Sequence, residues 1–166
     1  MMTYIFRDSD PAGIANYDIG GAKYKALLDV CFHYAHSVSF YISPLYKKDL
    51  SDISESQLPV SEDIQKLYPT YAVASPADYR ITLPYQIKHF VLSPQVQEFL
   101  RQQTDHLWGW TYDELNKNPD DICFFRSDKS VFLASTIHNG ECRLYPKEHE
   151  DVSAIIDVAN WSLEQS

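Results

Sequence analysis

The chain has 166 residues, with 23 Asp plus Glu against 14 Lys plus Arg and a formal net charge of −9. This length suits one domain that buries about 70% of its unfolded surface, and a hydrophobic share of 45% with 5 Gly and 9 Pro excludes a disordered or low-complexity chain. The acidic balance argues against nucleic-acid contact, which needs a basic stripe. The longest apolar runs, such as 122–125 and 131–134, are far short of the ~20 residues that cross a bilayer, so no membrane partner is expected.

In chain order, Thr3 to Phe6 is a short apolar segment suited to a strand, and Asp8 to Gly13 is rich in turn residues. The N-terminal residues lack a basic stretch followed by an apolar one, so no secretory signal is expected and the cytoplasm is the expected location. From Ala22, the residues Tyr24, Leu27, Leu28, Cys31, Tyr34 and Ala35 recur at spacings of three and four, which predicts a helix with one buried stripe over about 21–36. Val38, Phe40 and Ile42 then alternate with Ser37, Ser39, Tyr41 and Ser43, the pattern of a half-buried strand ending at Pro44. Lys47 to Leu58 is polar and serine-rich and reads as a loop. Ser61 to Tyr68 reads as a short helix capped by Ser61 and stopped by Pro69.

Between Tyr79 and Leu92 two alternating patterns flank Pro84 and predict one interrupted strand or two. Ser93-Pro94 opens a helix over 94–103 as cap and first-turn proline, with Val96, Phe99 and Leu100 facing inward. An aromatic and acidic connector fills 104–121. Ile122 to Arg126, Val131 to Ile137 and Glu141 to Tyr145 then form a three-stranded meander. Asn139-Gly140 suits a two-residue type I′ turn, which would pair His138 with Glu141, Thr136 with Arg143 and Ala134 with Tyr145. Val131, Leu133, Ile137, Cys142 and Leu144 would face the core, and Phe132, Arg143 and Tyr145 the less apolar side. Val152, Ile155, Ile156, Ala159 and Leu163 predict a terminal amphipathic helix over 150–164.

The fold class is therefore α+β: a single domain with a mainly antiparallel sheet, its meander near 122–145, covered by amphipathic helices. Cys31, Cys123 and Cys142 are odd in number and sit among apolar neighbours, as buried free thiols do in a reducing compartment.

Catalytic and metal motifs are sparse. His33 and His36 share a helical spacing, but no second ligand group completes a metal site and no cofactor fingerprint appears. Within the meander, Cys142 and His138 are the short-range Cys/His pair, and a tight Asn139-Gly140 turn sends them to opposite faces. Asp120 and Asp121, as neighbours in an extended segment, point apart and do not predict a carboxylate dyad.

Charge and aromaticity carry the functional reading. Residues 91–166 hold six Lys/Arg against thirteen Asp/Glu, net −7, compared with −2 for residues 1–90. Aromatic residues are 14% of the chain, and 12 of them are Tyr. Trp108, Trp110 and Tyr112 stand beside Asp113, Glu114, Asp120 and Asp121, a set suited to recognising a cationic protein partner. The same rings would serve equally to seal the core.

The stretch from Trp108 to Tyr145, with its aromatic-Gly-aromatic connector and Pro-Asp-Asp-Ile-Cys-Phe-Phe-Arg strand, and the earlier Cys31-Phe32-His33-Tyr34 run, resemble small intracellular proteins of Gram-positive bacteria. These are mostly uncharacterised, and some look like acidic immunity proteins that neutralise toxins. The resemblance covers about half the chain, places Asn139-Gly140 between His138 and Glu141 where the related pattern keeps His and Glu adjacent, and implies no catalytic residue.

The expected function is a non-enzymatic, acidic binding protein of immunity or inhibitor type, with a toxin-like cationic protein as partner. The alternative is a small hydrolase or transferase whose pocket is lined by tyrosines and one of His138, His89 or His33. Self-association through exposed aromatics is a third, structural option, and the sequence leaves the oligomeric state open.

Overall fold

The computed structural model describes residues 2–9, 12–13 and 17–165. Its elements run β1 (Tyr4–Arg7), α1 (Ala22–Tyr34), β2 (Ser37–Ile42), β3 (Gln57–Leu58), α2 (Glu62–Leu67), β4 (Ala72–Ala74) and β5 (Thr82–Pro84). They continue with β6 (Gln86–Val91), α3 (Pro94–Gln103), β7 (Asp120–Phe125), β8 (Val131–Thr136), β9 (Glu141–Leu144), α4 (Ser153–Ile156) and β10 (Ser162–Leu163). Eight strands form one antiparallel sheet in the order β10-β1-β9-β8-β7-β2-β6-β3, and β4 and β5 pair separately. The fold is α+β, as the sequence predicts. Of the turn-rich stretch read at 8–13, Asp10 and Pro11 lie outside the described residues.

The helical patterns hold because each element presents one apolar stripe and a suitable start. In α1 the buried residues are Tyr24, Leu27, Leu28 and Cys31. In α2 and α3, Ser61 and Ser93 accept hydrogen bonds from the amides of Ile64 and Val96, satisfying donors that the first turn leaves free. Both α1 and α3 pack on one sheet face with Phe6, Val38, Phe40, Phe90, Phe124 and Leu144.

The opposite face is also buried, which the alternation of β2 does not announce. Tyr41, Cys123 and Phe125 pack there against Ile64 and Tyr68, with Tyr71, Tyr85 and Val131 beside them. Ser37 and Ser39 are consequently buried, and each finds a side-chain partner, His89 for Ser37 and Tyr68 for Ser39. All three thiols are free and buried.

Several expectations are corrected. The reversal between β8 and β9 is not a two-residue turn: Ile137–Asn139 forms a short 3-10 turn and Gly140 follows in the left-handed region with φ 63°. Thr136 therefore pairs with Glu141 and Ala134 with Arg143, a slip of two residues from the predicted register. A slip of two preserves the side each residue faces, so Leu133, Cys142 and Leu144 still reach the core. His138 leaves the ladder and does not face Glu141.

A bulge where β7 meets β8 pairs Phe124 with Leu133 and Phe125 with Val131. The extra residue, Phe132, turns into the core with no exposure at all, so it does not belong to the less apolar face. Val131 instead lies half-buried with Phe125 on the far side.

The terminal helix is only Ser153–Ile156. The chain turns after Asp157, and Ser162–Leu163 adds an edge strand to β1 with Leu163 exposed. Val152 and Ile155 alone of that predicted stripe are fully buried, so little apolar burial would reward a longer helix, while the open edge of β1 offers backbone partners. The predicted loop at 47–58 contains a 3-10 turn over Ser51–Ser56, which buries Ile53, and the short β3. Of the first pattern before Pro84, only Thr82–Pro84 forms a strand, and Tyr79 and Ile81 are exposed.

Candidate functional site

The connector between α3 and β7 sends Leu107 and Trp110 into the core, and it scatters the seven residues read as a recognition surface. Trp110 is fully buried, donating its indole N–H to the Tyr24 hydroxyl at 2.5 Å and stacking near Phe40. It is a core residue. Asp120 and Asp121 are also buried, at 1% and 2% exposure, and cannot meet a partner directly. Trp108 and Tyr112 are half-buried, and Asp113 and Glu114 are exposed. A contiguous surface of all seven is ruled out by the burial of three.

What the structure assembles is a cleft of about 440 Å³ lined by Asp8, Tyr17, Asp18, Trp108, Thr111, Asp113, Ile137 and His138. Three carboxylates and two aromatic rings therefore share one concavity. No Lys or Arg is among its described lining residues. Each acidic group is fixed locally. The Asp18 carboxylate accepts the amides of Ile19 and Trp108, and that of Asp113 accepts the amides of Leu115 and Asn116. The Asp8 amide donates to the Gly140 carbonyl at 3.0 Å, tying Asp8 to the β8–β9 reversal. Trp108 stacks on Phe6 with centroids 5.5 Å apart, and its indole N–H donates to the Tyr17 carbonyl.

Behind this cleft lie the two buried acids. Asp120 Oδ1 accepts the Tyr112 amide at 3.1 Å and lies 3.5 Å from His138 Nε2, while Oδ2 is sealed from solvent without a hydrogen-bond partner of good geometry. Burial pushes the Asp120 carboxyl above the usual carboxylate range, against the opposing pull of the Thr111 hydroxyl, His138 and the Tyr112 amide. Asp121 sits in a left-handed conformation, φ 53°, where β2 and β7 slip out of register. Its carboxylate accepts the Ile137 amide at 2.7 Å and its carbonyl accepts the Tyr68 hydroxyl at 3.0 Å.

Burial raises Asp121 to about 6, helped by the charge of Asp120 and opposed by the Ile137 amide and His138. Asp120 therefore meets His138 while Asp121 is held by the amide of Ile137, the two acids taking separate partners even though Asp121 feels the charge of Asp120. Tyr71 completes the group, its ring edge-on to His138 at 5.2 Å.

His138 and Cys142 are divided as expected, the thiol in the main core and the imidazole at the cleft. Burial pushes all three thiols upward, so none is a ready nucleophile. His33 is exposed beside Tyr34. Among the described residues, no three His, Cys, Asp or Glu side chains are grouped to hold a metal ion. No helix described is long and apolar enough to cross a membrane.

Asp8 and Asp18 escaped the sequence reading because they lie about ninety residues before the connector they face, and nothing in their local pattern marks them. Comparison with protein-family models, curated proteins and solved structures gives no match for this chain.

Proposed function

We propose that this protein is a binding protein of immunity or inhibitor type that receives a cationic side chain of a partner protein in the cleft between Asp8, Asp18 and Asp113. The observation that carries this reading is the grouping of three carboxylates with the Trp108 and Tyr17 rings in one concavity without a lining Lys or Arg. An Arg or Lys head group gains from carboxylate pairing and from contact with an aromatic face. Asp120 and Asp121, buried behind the cleft, extend the negative field inward, and the net charge of −9 draws a basic partner from a distance.

The test is calorimetric titration with a short capped peptide carrying one Arg, against the same peptide with Gln. Asp18→Asn combined with Asp113→Asn weakens binding of the Arg peptide by about tenfold or more, equivalent to about 1.4 kcal/mol, and raising the salt weakens it further. Equal affinity for the two peptides would remove the reading.

A further inference from the structure

We propose that Ser37 and His89 form a nucleophile–base pair on the floor of a second, apolar pocket, where the protein cleaves small carboxylic esters with a short acyl chain. This inference is independent of the acidic cleft and shares no residue with it.

The pocket, about 470 Å³, lies on the sheet face opposite α1 and α3 and is walled by Leu58, Ile64, Leu67, Phe125 and Val131. A cavity of this size suits a small ligand and falls in the range of about 300–1,000 Å³ for such sites. Of its polar lining residues, Ser37 and His89 stand on the sheet, Ser61 and Asp63 come from the start of α2, and Lys129 comes from the β7–β8 turn. Register places Ser39 opposite His89 and Ser37 opposite Val91, so Ser37 and His89 are diagonal neighbours on one face. Their side chains meet, with Ser37 Oγ 2.8 Å from His89 Nε2.

The third member fixes the direction of that bond. Leu58 pairs with His89, which brings the Pro59 carbonyl to 3.0 Å from His89 Nδ1. A carbonyl only accepts, so Nδ1 carries the proton, and Nε2 presents a lone pair to the Ser37 hydroxyl. Burial keeps the imidazole below its ordinary pKa and hence neutral, the form a general base needs. Phe125, edge-on to the ring at 5.7 Å, holds its plane. A hydroxyl bonded to a base that a further group orients is the arrangement of an activated serine.

In the reaction, Ser37 Oγ bonds to the ester carbonyl carbon while its proton passes to His89 Nε2. The tetrahedral intermediate collapses as the C–O bond to the alcohol breaks and His89 returns the proton to that oxygen. Water, giving a proton to His89, then adds to the acyl-serine carbonyl, and as the bond to Ser37 Oγ breaks His89 returns that proton to Oγ, releasing the carboxylic acid and restoring both groups. The apolar walls hold the acyl chain, and Lys129, which lines the pocket together with Asp63, is the cation available to the negative charge developing on the carbonyl oxygen.

The probe is an alkyl fluorophosphonate, which phosphonylates an activated serine with loss of fluoride, alongside p-nitrophenyl butyrate for turnover. One adduct per chain is expected on Ser37 by peptide mass, absent in Ser37→Ala and formed about 100-fold more slowly in His89→Gln. Leu67 is 46% exposed, so Leu67→Trp should leave the fold intact while narrowing the pocket, slowing longer acyl chains more than acetyl. Wild-type protein with a native circular dichroism spectrum that takes no adduct on Ser37, or labels at the same rate without His89, overturns the proposal. The Arg-peptide titration at the acidic cleft is unaffected by either result.

Discussion

His138 Nε2 lies 3.5 Å from Oδ1 of Asp120, so a half-exposed imidazole at the cleft is backed by a carboxylate with 1% exposure. Burial raises the Asp120 carboxyl, so the inner wall of the cleft gains negative charge as that group ionises with rising pH, the condition a cationic group favours.

Asp121 makes the clearest stability prediction. Its carboxyl is raised from 3.8 to about 6 in the fold, so the native state disfavours the ionised form. This contribution is most favourable below the unfolded value and is lost as pH rises toward the folded value, levelling off above it. Asp121→Asn keeps an oxygen for the Ile137 amide and tolerates φ 53°, so it should stabilise the protein by about 1–3 kcal/mol at neutral pH. In urea titrations its advantage over wild type should grow between about pH 4 and 6 and then stay constant; a constant difference across that window contradicts the assignment.

Arg126 and Glu150 form a buried bidentate pair, with Nε–Oε1 at 2.7 Å and Nη2–Oε2 at 2.6 Å. Arg126 also donates to the Val131 and Tyr145 carbonyls, joining β7 and β8 to the chain after β9. Arg126→Met or Glu150→Ala leaves a buried charge without its partner and should cost about 3–5 kcal/mol by denaturant unfolding. Replacing both with Met should cost less than the sum of the single changes.

The two tryptophans of the connector should separate cleanly. Trp110→Ala opens a cavity in the core and should cost about 3–5 kcal/mol, without a specific effect on Arg-peptide binding in protein that remains folded. Trp108→Ala should cost less stability and weaken the peptide, because that ring lines the cleft. Unfolding midpoints and peptide titration of both variants check this.

Gly140 links the hairpin to the cleft. Its φ of +63° disfavours a side chain, and an added Cβ would land on the Asp8 carboxyl group. Gly140→Ala should cost about 1–3 kcal/mol and, by displacing Asp8, weaken the Arg peptide. Peptide affinity equal to wild type would detach Asp8 from the site.

Local patterns carried α1, α2, α3 and the meander strands because stripe, cap and alternation act within a few residues. They missed β3 and β10, whose two-residue strands exist only because an edge needs backbone partners. The β8–β9 register failed because Asn-Gly also suits a 3-10 turn closed by a left-handed Gly140. Phe132 and Asp121 were misplaced by bulges, and a strict period of two contains no signal for an extra residue.

At the site, Trp108 and Asp113 were legible as acidic-aromatic neighbours, whereas Asp8 and Asp18 arrive from the other end of the chain. Ser37 and His89 are 52 residues apart and meet only through β2–β6 pairing. The serines of β2 were visible as a polar face, but the second buried layer that makes them internal was not.

The most direct test of the binding account is a two-dimensional amide and indole NMR titration of the protein with the capped Arg peptide at low salt. The account predicts saturable shifts concentrated on the Trp108 indole N–H and the amides of Thr111, Asp113 and His138, with none for the Gln peptide. Shifts spread evenly over the acidic surface, or the same with both peptides, would contradict it.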